Sequence, residues 1–156
     1  MMSDLKLVTY CGLYCGLCGQ CSRIPQRAAA LRDSMQTEGW HLWGNNIPQF
    51  KEFWTFLNGI VKNQGAQSCR ENTCGYPPCG IRKCARQRDV VSCPFCEDYP
   101  CHRIEGLAKG YVNMLADGRR MKTIGIEKWI VEQQERVKTG FAYCDIRCQP
   151  YEVPGQ

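Results

Sequence analysis

The stretch Cys69-Arg70-Glu71-Asn72-Thr73-Cys74-Gly75-Tyr76-Pro77-Pro78-Cys79-Gly80-Ile81-Arg82-Lys83-Cys84 places four cysteines at five-residue intervals. Positions five apart on an α-helix are rotated by about 140°, so these thiols cannot share one helical face. Tyr76-Pro77-Pro78 breaks any helix there, because each proline lacks an N–H and restricts the residue before it. The block therefore reads as loop or knuckle, with a helix predicted from Gly80 to Arg88. Cysteines held outside regular structure imply disulfides, metal–thiolate bonds or redox chemistry.

The whole chain sharpens that choice. Its 156 residues include 13 cysteines: Cys11, Cys15, Cys18 and Cys21 open it, Cys93, Cys96 and Cys101 extend the middle block, and Cys144 and Cys148 close it. Disulfide-stapled domains are usually short, exported and even in cysteine number. Here the count is odd, and the opening Met1-Met2-Ser3-Asp4-Leu5-Lys6-Leu7-Val8 has no apolar export segment. Nothing approaches the run of about 18 apolar residues that spans a membrane. Pairs such as Cys15–Cys18 and Cys93–Cys96 are also too close for the longer loops that structural disulfides close. A cytoplasmic protein with reduced thiols is expected, forming one cysteine-rich metal-binding domain over residues 1–156.

The cysteine-poor stretches carry helical periodicity. Phe50, Phe53, Trp54, Leu57, Ile60 and Val61 recur at the spacing of one helix face within Ile47–Lys62, with Pro48 in the first turn and Asn45 or Asn46 as cap. Ile104, Leu107, Ala108, Tyr111, Met114 and Leu115 form a second face, stopped by Asp117-Gly118. A third helix starts near Thr123, turns Ile126, Trp129, Ile130 and Val137 inward, and ends at Gly140. A fourth runs from Pro25 to about Gln36. Leu5 to Tyr10 and Val90-Val91 are the only short strand candidates. The predicted class is mainly α: a small helical domain with irregular cysteine-rich loops and little or no sheet.

Cys93-Pro94-Phe95-Cys96 is the clearest local metal motif. Two intervening residues let both sulfurs point at one ion, with backbone N–H groups turned toward them, and such pairs build tetrahedral zinc sites when further ligands return from elsewhere. Cys101, Cys84, Cys79, or Cys144 and Cys148 are candidates to complete it. The N-terminal run parses several ways. Cys11, Cys15 and Cys18 have the C-x3-C-x2-C spacing of radical S-adenosylmethionine enzymes, but the chain lacks the length and pattern of their barrel. Cys15, Cys18 and Cys21 match the first three cysteines of a ferredoxin run without its continuation. Cys15-Gly16-Leu17-Cys18 is similar to a thioredoxin-type pair, without a strand–helix setting.

The order of motifs resembles one family across nearly the full chain. Tyr10-Cys11-Gly12-Leu13-Tyr14-Cys15-Gly16-Leu17-Cys18, then Cys79-Gly80-Ile81-Arg82-Lys83-Cys84, then Cys93 and Cys96 followed by Glu97-Asp98-Tyr99-Pro100-Cys101, then Ile124-Gly125-Ile126-Glu127-Lys128-Trp129, is similar to the cysteine-rich domain-of-unknown-function family 3795. The resemblance implies a small microbial intracellular protein that binds metal, usually taken as zinc, with no established activity. Three features depart from the pattern: Cys21 is additional, and the pairs Cys69/Cys74 and Cys144/Cys148 are spaced more widely.

The remaining candidates have plainer explanations. His41 between Trp40 and Trp43 reads as an aromatic-packed histidine, and His102 as a partly exposed residue at a helix start. Arg82, Lys83, Arg86 and Arg88 read as a solvated helix face that offsets thiolate charge, rather than a nucleic-acid patch. The formal charge of +5 counts every cysteine as neutral. An ion bound by four thiolates carries −2, so three such sites would reverse the sign. No residue pattern singles out a catalytic nucleophile. The expected metal ligands are Cys11, Cys15, Cys18, Cys69, Cys74, Cys79, Cys84, Cys93, Cys96, Cys101, Cys144 and Cys148, with Cys21 a weaker candidate. Zinc in a protein-binding module is the leading expectation. A [4Fe-4S] electron carrier is the alternative, and a nucleic-acid-binding zinc protein the third.

Overall fold

The computed structural model describes residues 2–63, 68–73 and 79–146, with residues 2 and 3 as backbone alone. The helices are α1 (Met2–Leu5), α2 (Arg23–Thr37), α3 (Trp40–Trp43), α4 (Phe50–Lys62), α5 (Gly80–Gln87), α6 (His102–Ala108), α7 (Met114–Ile124) and α8 (Ile126–Lys138). Short 3-10 turns lie at Cys15–Leu17, Gly44–Asn46, Cys93–Phe95 and Tyr143–Asp145, so three of these four turns contain a cysteine. The protein is mainly α. Within the described residues a single antiparallel bridge joins Val8 to Tyr14, and Val90-Val91 forms no strand. No helix among them is long and apolar enough to cross a membrane.

The cysteine-free helices α2, α3 and α4 pack on one another. Trp40 of α3 meets Phe50 of α4 at 6.0 Å between ring centroids, and within the helices Trp40 meets Trp43 at 4.5 Å and Phe50 stacks on Trp54 at 5.5 Å. The α4 stripe is buried at Phe50 and Leu57, while Phe53 stays half exposed. Its start is corrected to Phe50: Asn45 and Asn46 belong to the preceding 3-10 turn, and Gln49 holds the cap position at φ 65°. The Phe50 ring lies on Gly44, where a Cβ would come within 2.6 Å of it. The chain must turn between those two residues to make that contact, and the helix waits until it has done so. His41 is exposed rather than packed between the tryptophans.

A separate core gathers the rest of the chain: Val8, Leu13, Tyr14 and Leu17 meet Ile81, Ile104, Met114, Met121, Trp129, Ile130 and Tyr143. Tyr14 meets Trp129 edge-on at 6.1 Å, and Tyr143 does the same with Tyr111 at 5.8 Å. Both geometries place a positive ring edge on a negative ring face. The Tyr14 N–H also donates to the Tyr143 hydroxyl at 3.1 Å, across 129 residues. Burying the two tyrosines thus joins the two ends of the described chain.

The single helix expected from Ile104 past Met114 is two. α6 closes with three-residue hydrogen bonds, Gly110 N–H to Leu107 O and Tyr111 N–H to Ala108 O, and α7 begins anew at Met114. Asp117-Gly118 does not stop it. Asp117 lies in the first turn of α7, where a carboxylate suits the positive end of the helix, and it accepts from Asn113 at 3.0 Å and Arg136 at 2.9 Å. Gly118 is helical and buried because the Tyr99 hydroxyl occupies the place of its Cβ. Nor does the third helix start near Thr123: that hydroxyl donates to Arg119 O within α7, and Gly125 at φ +84° separates α7 from α8, which begins at Ile126. Gly140, at φ +78°, follows the end of α8 as expected.

Gly118→Ala should therefore invert the usual rule. Alanine in a helix interior normally gains up to about 1 kcal/mol over glycine. Overpacking against Tyr99 should instead cost roughly 1–3 kcal/mol, read as a lower urea midpoint. A raised midpoint would contradict the Tyr99 packing.

Candidate metal centre

The Cys93–Cys96 knuckle closes as its sequence requires: Cys96 N–H donates to Cys93 O at 2.8 Å, and Phe95 N–H to Ser92 O at 2.9 Å. It hangs on the N-terminal segment. Cys93 N–H donates to Tyr10 O at 2.7 Å, and the buried Ser92 hydroxyl donates to Thr9 O at 3.0 Å. Cys84 arrives from α5, and Cys101 caps the start of α6. These four cysteines line one cavity of about 370 Å³. Burial pushes the Cys93 thiol up to about 12, and Cys101, Cys96 and Cys84 add to the effect as neighbouring thiols. Arg88 donates to Cys96 Sγ at 3.4 Å while pairing with Asp98 at 2.5 Å.

A second set forms in the N-terminal run. Cys18 N–H donates to Cys15 O and Cys21 N–H to Cys18 O, both at 3.0 Å. Two turns in succession bring the three side chains together, and the Cys21 thiol hydrogen-bonds to Cys15 and to Cys18. That donation holds Cys15 below the ordinary thiol range, helped by the Cys69 N–H. The same bonds hold Cys21 far above it. Cys144, on the last 3-10 turn, brings its sulfur to 3.4 Å from where a Cβ on Gly19 would stand.

The third set is Cys11 with Cys69 and Cys79. Burial raises the Cys11 thiol well above its ordinary value, Thr9 counters from 3.1 Å, and Cys69 and Cys79 raise it further. Every described cysteine thus falls near a set, while Cys74 and Cys148 lie outside the described residues. No disulfide joins the described cysteines. Among the described residues no three His, Cys, Asp or Glu side chains already stand as ligands around one point. The donors nevertheless suit a thiophilic ion: thiolates, grouped by turns of the knuckle kind, with N–H donors directed at sulfur. Binding would require the thiols to lose their protons and turn inward.

Arginine holds these loops in place. Arg70 donates to Leu5 O at 3.0 Å, Val8 O at 2.8 Å and Val91 O at 2.6 Å, with its guanidinium 4.7 Å above the Tyr10 ring. Arg86 covers the same ring at 5.5 Å and donates to Arg70 O at 2.6 Å. Arg82 is buried and donates to Cys69 O at 3.3 Å. The expected solvated basic face is therefore corrected at Arg82, whereas Arg86 is exposed. Loop carbonyls have no helical partner, and a guanidinium offers five donors in one plane. Arg70 and Tyr10 had no spacing to mark them. Their only signal was a location beside cysteines.

A family model described as "Protein of unknown function (DUF3795)" matches residues 7–106. The chain belongs to the DUF3795 family. No curated protein and no solved structure matches it. The first and third thiol sets, with Cys15, Cys18 and Cys21, fall inside the DUF3795 match, whereas Cys144 falls beyond it.

The buried thiols set a pH dependence for the metal-free, reduced protein. Cys93 rises in the folded state, so the unfolded chain gives up that proton first. The associated stability is intact below the ordinary thiol pKa of about 8.5 and is lost as pH climbs toward about 12. The urea midpoint should fall between about pH 7.5 and about pH 9.5, and Cys93→Ser should remove part of the fall. A flat wild-type profile would contradict the burial.

Proposed function

We propose that this protein binds zinc through cysteine thiolates, that the ions are structural, and that it acts in the cytoplasm as a module for binding another protein. One observation carries the reading: Cys84, Cys93, Cys96 and Cys101 come from α5, the 93–96 knuckle and the start of α6 to the wall of one cavity. A soft four-sulfur donor set of this kind suits a closed tetrahedral zinc site, which leaves no position for a substrate. The loops that carry it have little helix of their own, so metal–thiolate bonds are the natural source of their stability. Each closed site would contribute on the order of 10 kcal/mol at neutral pH.

The iron–sulfur alternative draws on a different observation. Cys15, Cys18 and Cys21 sit at two-residue intervals with their thiols in contact, a spacing also used for cluster ligands. The nucleic-acid reading is weakened by Arg82 and Arg86, which spend their donors on loop carbonyls.

Anaerobic purification followed by metal analysis decides. Zinc in stoichiometric amount in a colourless preparation is expected, and Cys93→Ser should lose an ion together with cooperative thermal unfolding. A brown protein containing iron and acid-labile sulfide would replace zinc by a cluster. Folding that is unchanged by a strong chelator would sink the structural-metal reading.

A further inference from the structure

We propose that Cys15, Cys18, Cys21 and Cys144 form a second four-thiolate site for a divalent thiophilic ion, separate from the site of Cys84, Cys93, Cys96 and Cys101. The proposal rests on the metal–thiolate reading above and extends it beyond residues 7–106. Two successive turns, Cys18 N–H to Cys15 O and Cys21 N–H to Cys18 O, let the Cys21 thiol hydrogen-bond to Cys15 and to Cys18. Cys21 is additional to the family spacing, yet its half-buried side chain hydrogen-bonds to Cys15 and Cys18. An extra thiol so placed has an obvious use as a ligand.

The fourth sulfur is delivered by a built anchor. Cys144 is flanked by Tyr143, whose hydroxyl accepts from the Tyr14 N–H at 3.1 Å, and by Asp145. Both Asp145 oxygens accept from Arg23, at 3.0 and 3.1 Å, and Arg23 also donates to Gly140 O at 2.6 Å. The Ala142 N–H closes the turn on Asp145 at 2.9 Å. Tyr143 is buried in the core and Arg23 opens α2, so the turn is pinned from two directions. Between those pins the Cys144 sulfur lies against Gly19, the residue after Cys18. A ligand held this way loses little freedom when an ion binds, which is how preorganised sites gain affinity.

Binding is balanced by proton release. Four S–H bonds give way to four S–metal bonds, four protons leave to solvent, and the site carries a charge of −2. The hydrogen bonds among the three N-terminal thiols are replaced in the process. The Cys69 N–H can remain on Cys15 sulfur and support the thiolate from the second layer.

Native mass spectrometry of the zinc-loaded full chain, against a competing chelator that leaves the wild type loaded, tests the site. Cys144→Ser and Cys21→Ser should each lose one ion and keep the others. Cys93→Ser should lose a different ion, and Cys93→Ser combined with Cys144→Ser should lose both. Far-UV circular dichroism checks that each variant is folded. Cys144 is exposed, so its variant alone decides if Cys21→Ser fails to fold. Retention of the wild-type ion count in Cys144→Ser would overturn the proposal, as would an ion lost in Cys148→Ser but kept in Cys144→Ser. A wild type that takes up no ion would instead sink the metal–thiolate reading itself. Cobalt refilling adds a second readout: tetrahedral sulfur coordination should give strong visible absorption that falls by a similar step in Cys21→Ser and Cys144→Ser.

Discussion

The guanidinium of Arg70 is the interaction on which the cysteine-bearing loops depend. It satisfies carbonyls of Leu5, Val8 and Val91, three points on two segments with little regular structure. It also covers the Tyr10 ring, whose other neighbour is Arg86. Removing water from such loops exposes unpaired carbonyls, each a cost of about 1–3 kcal/mol if left unmet. Arg70 meets several at once. The N-terminal run, the Cys69 loop and the Cys93 knuckle are held in register through it, and that register is what brings their thiols together.

The same assembly carries a conflict. Cys11 and Cys93 are desolvated thiols with other thiols beside them, which disfavours the charged form that metals require. The Cys21 thiol and the Cys69 N–H on Cys15 work in the opposite direction. An ion would resolve the conflict, since its own charge outweighs every local dipole. Without one Cys11 and Cys93 stay buried as neutral thiols, and the stability they contribute declines with rising pH. Arg70, Arg82 and Arg86 direct donors at loop carbonyls, and Arg88 directs one at the Cys96 sulfur.

The helical parts obey simpler rules. α3 and α4 share an aromatic cluster and pack with α2, and the remaining helices close around Trp129, Tyr14 and Tyr143. Where the helical boundaries departed from expectation, a specific contact had intervened. Tyr99 made Gly118 a packing position instead of a stop, and the Phe50 ring on Gly44 delayed the start of α4. Both contacts join residues whose partners no local pattern announces.

By itself the sequence determined the mainly helical class, the turn character of the opening cysteine run and of the Cys93–Cys96 knuckle, the helices at α2, α5 and α8, and membership of the DUF3795 family. These follow from periodicity, proline and short-range spacing, which act over a few residues. Spacing sorted the cysteines into an opening, a middle and a closing group. Only the tertiary structure regrouped them, placing Cys84 with Cys93, Cys96 and Cys101, Cys11 with Cys69 and Cys79, and Cys144 beside the opening run. The reason is physical: a thiol's neighbours are chosen by how the chain returns. Here the returns are set by Tyr143 on Tyr14, Asp145 on Arg23 and Arg70 on Val8 and Val91, contacts of 21 to 129 residues in separation.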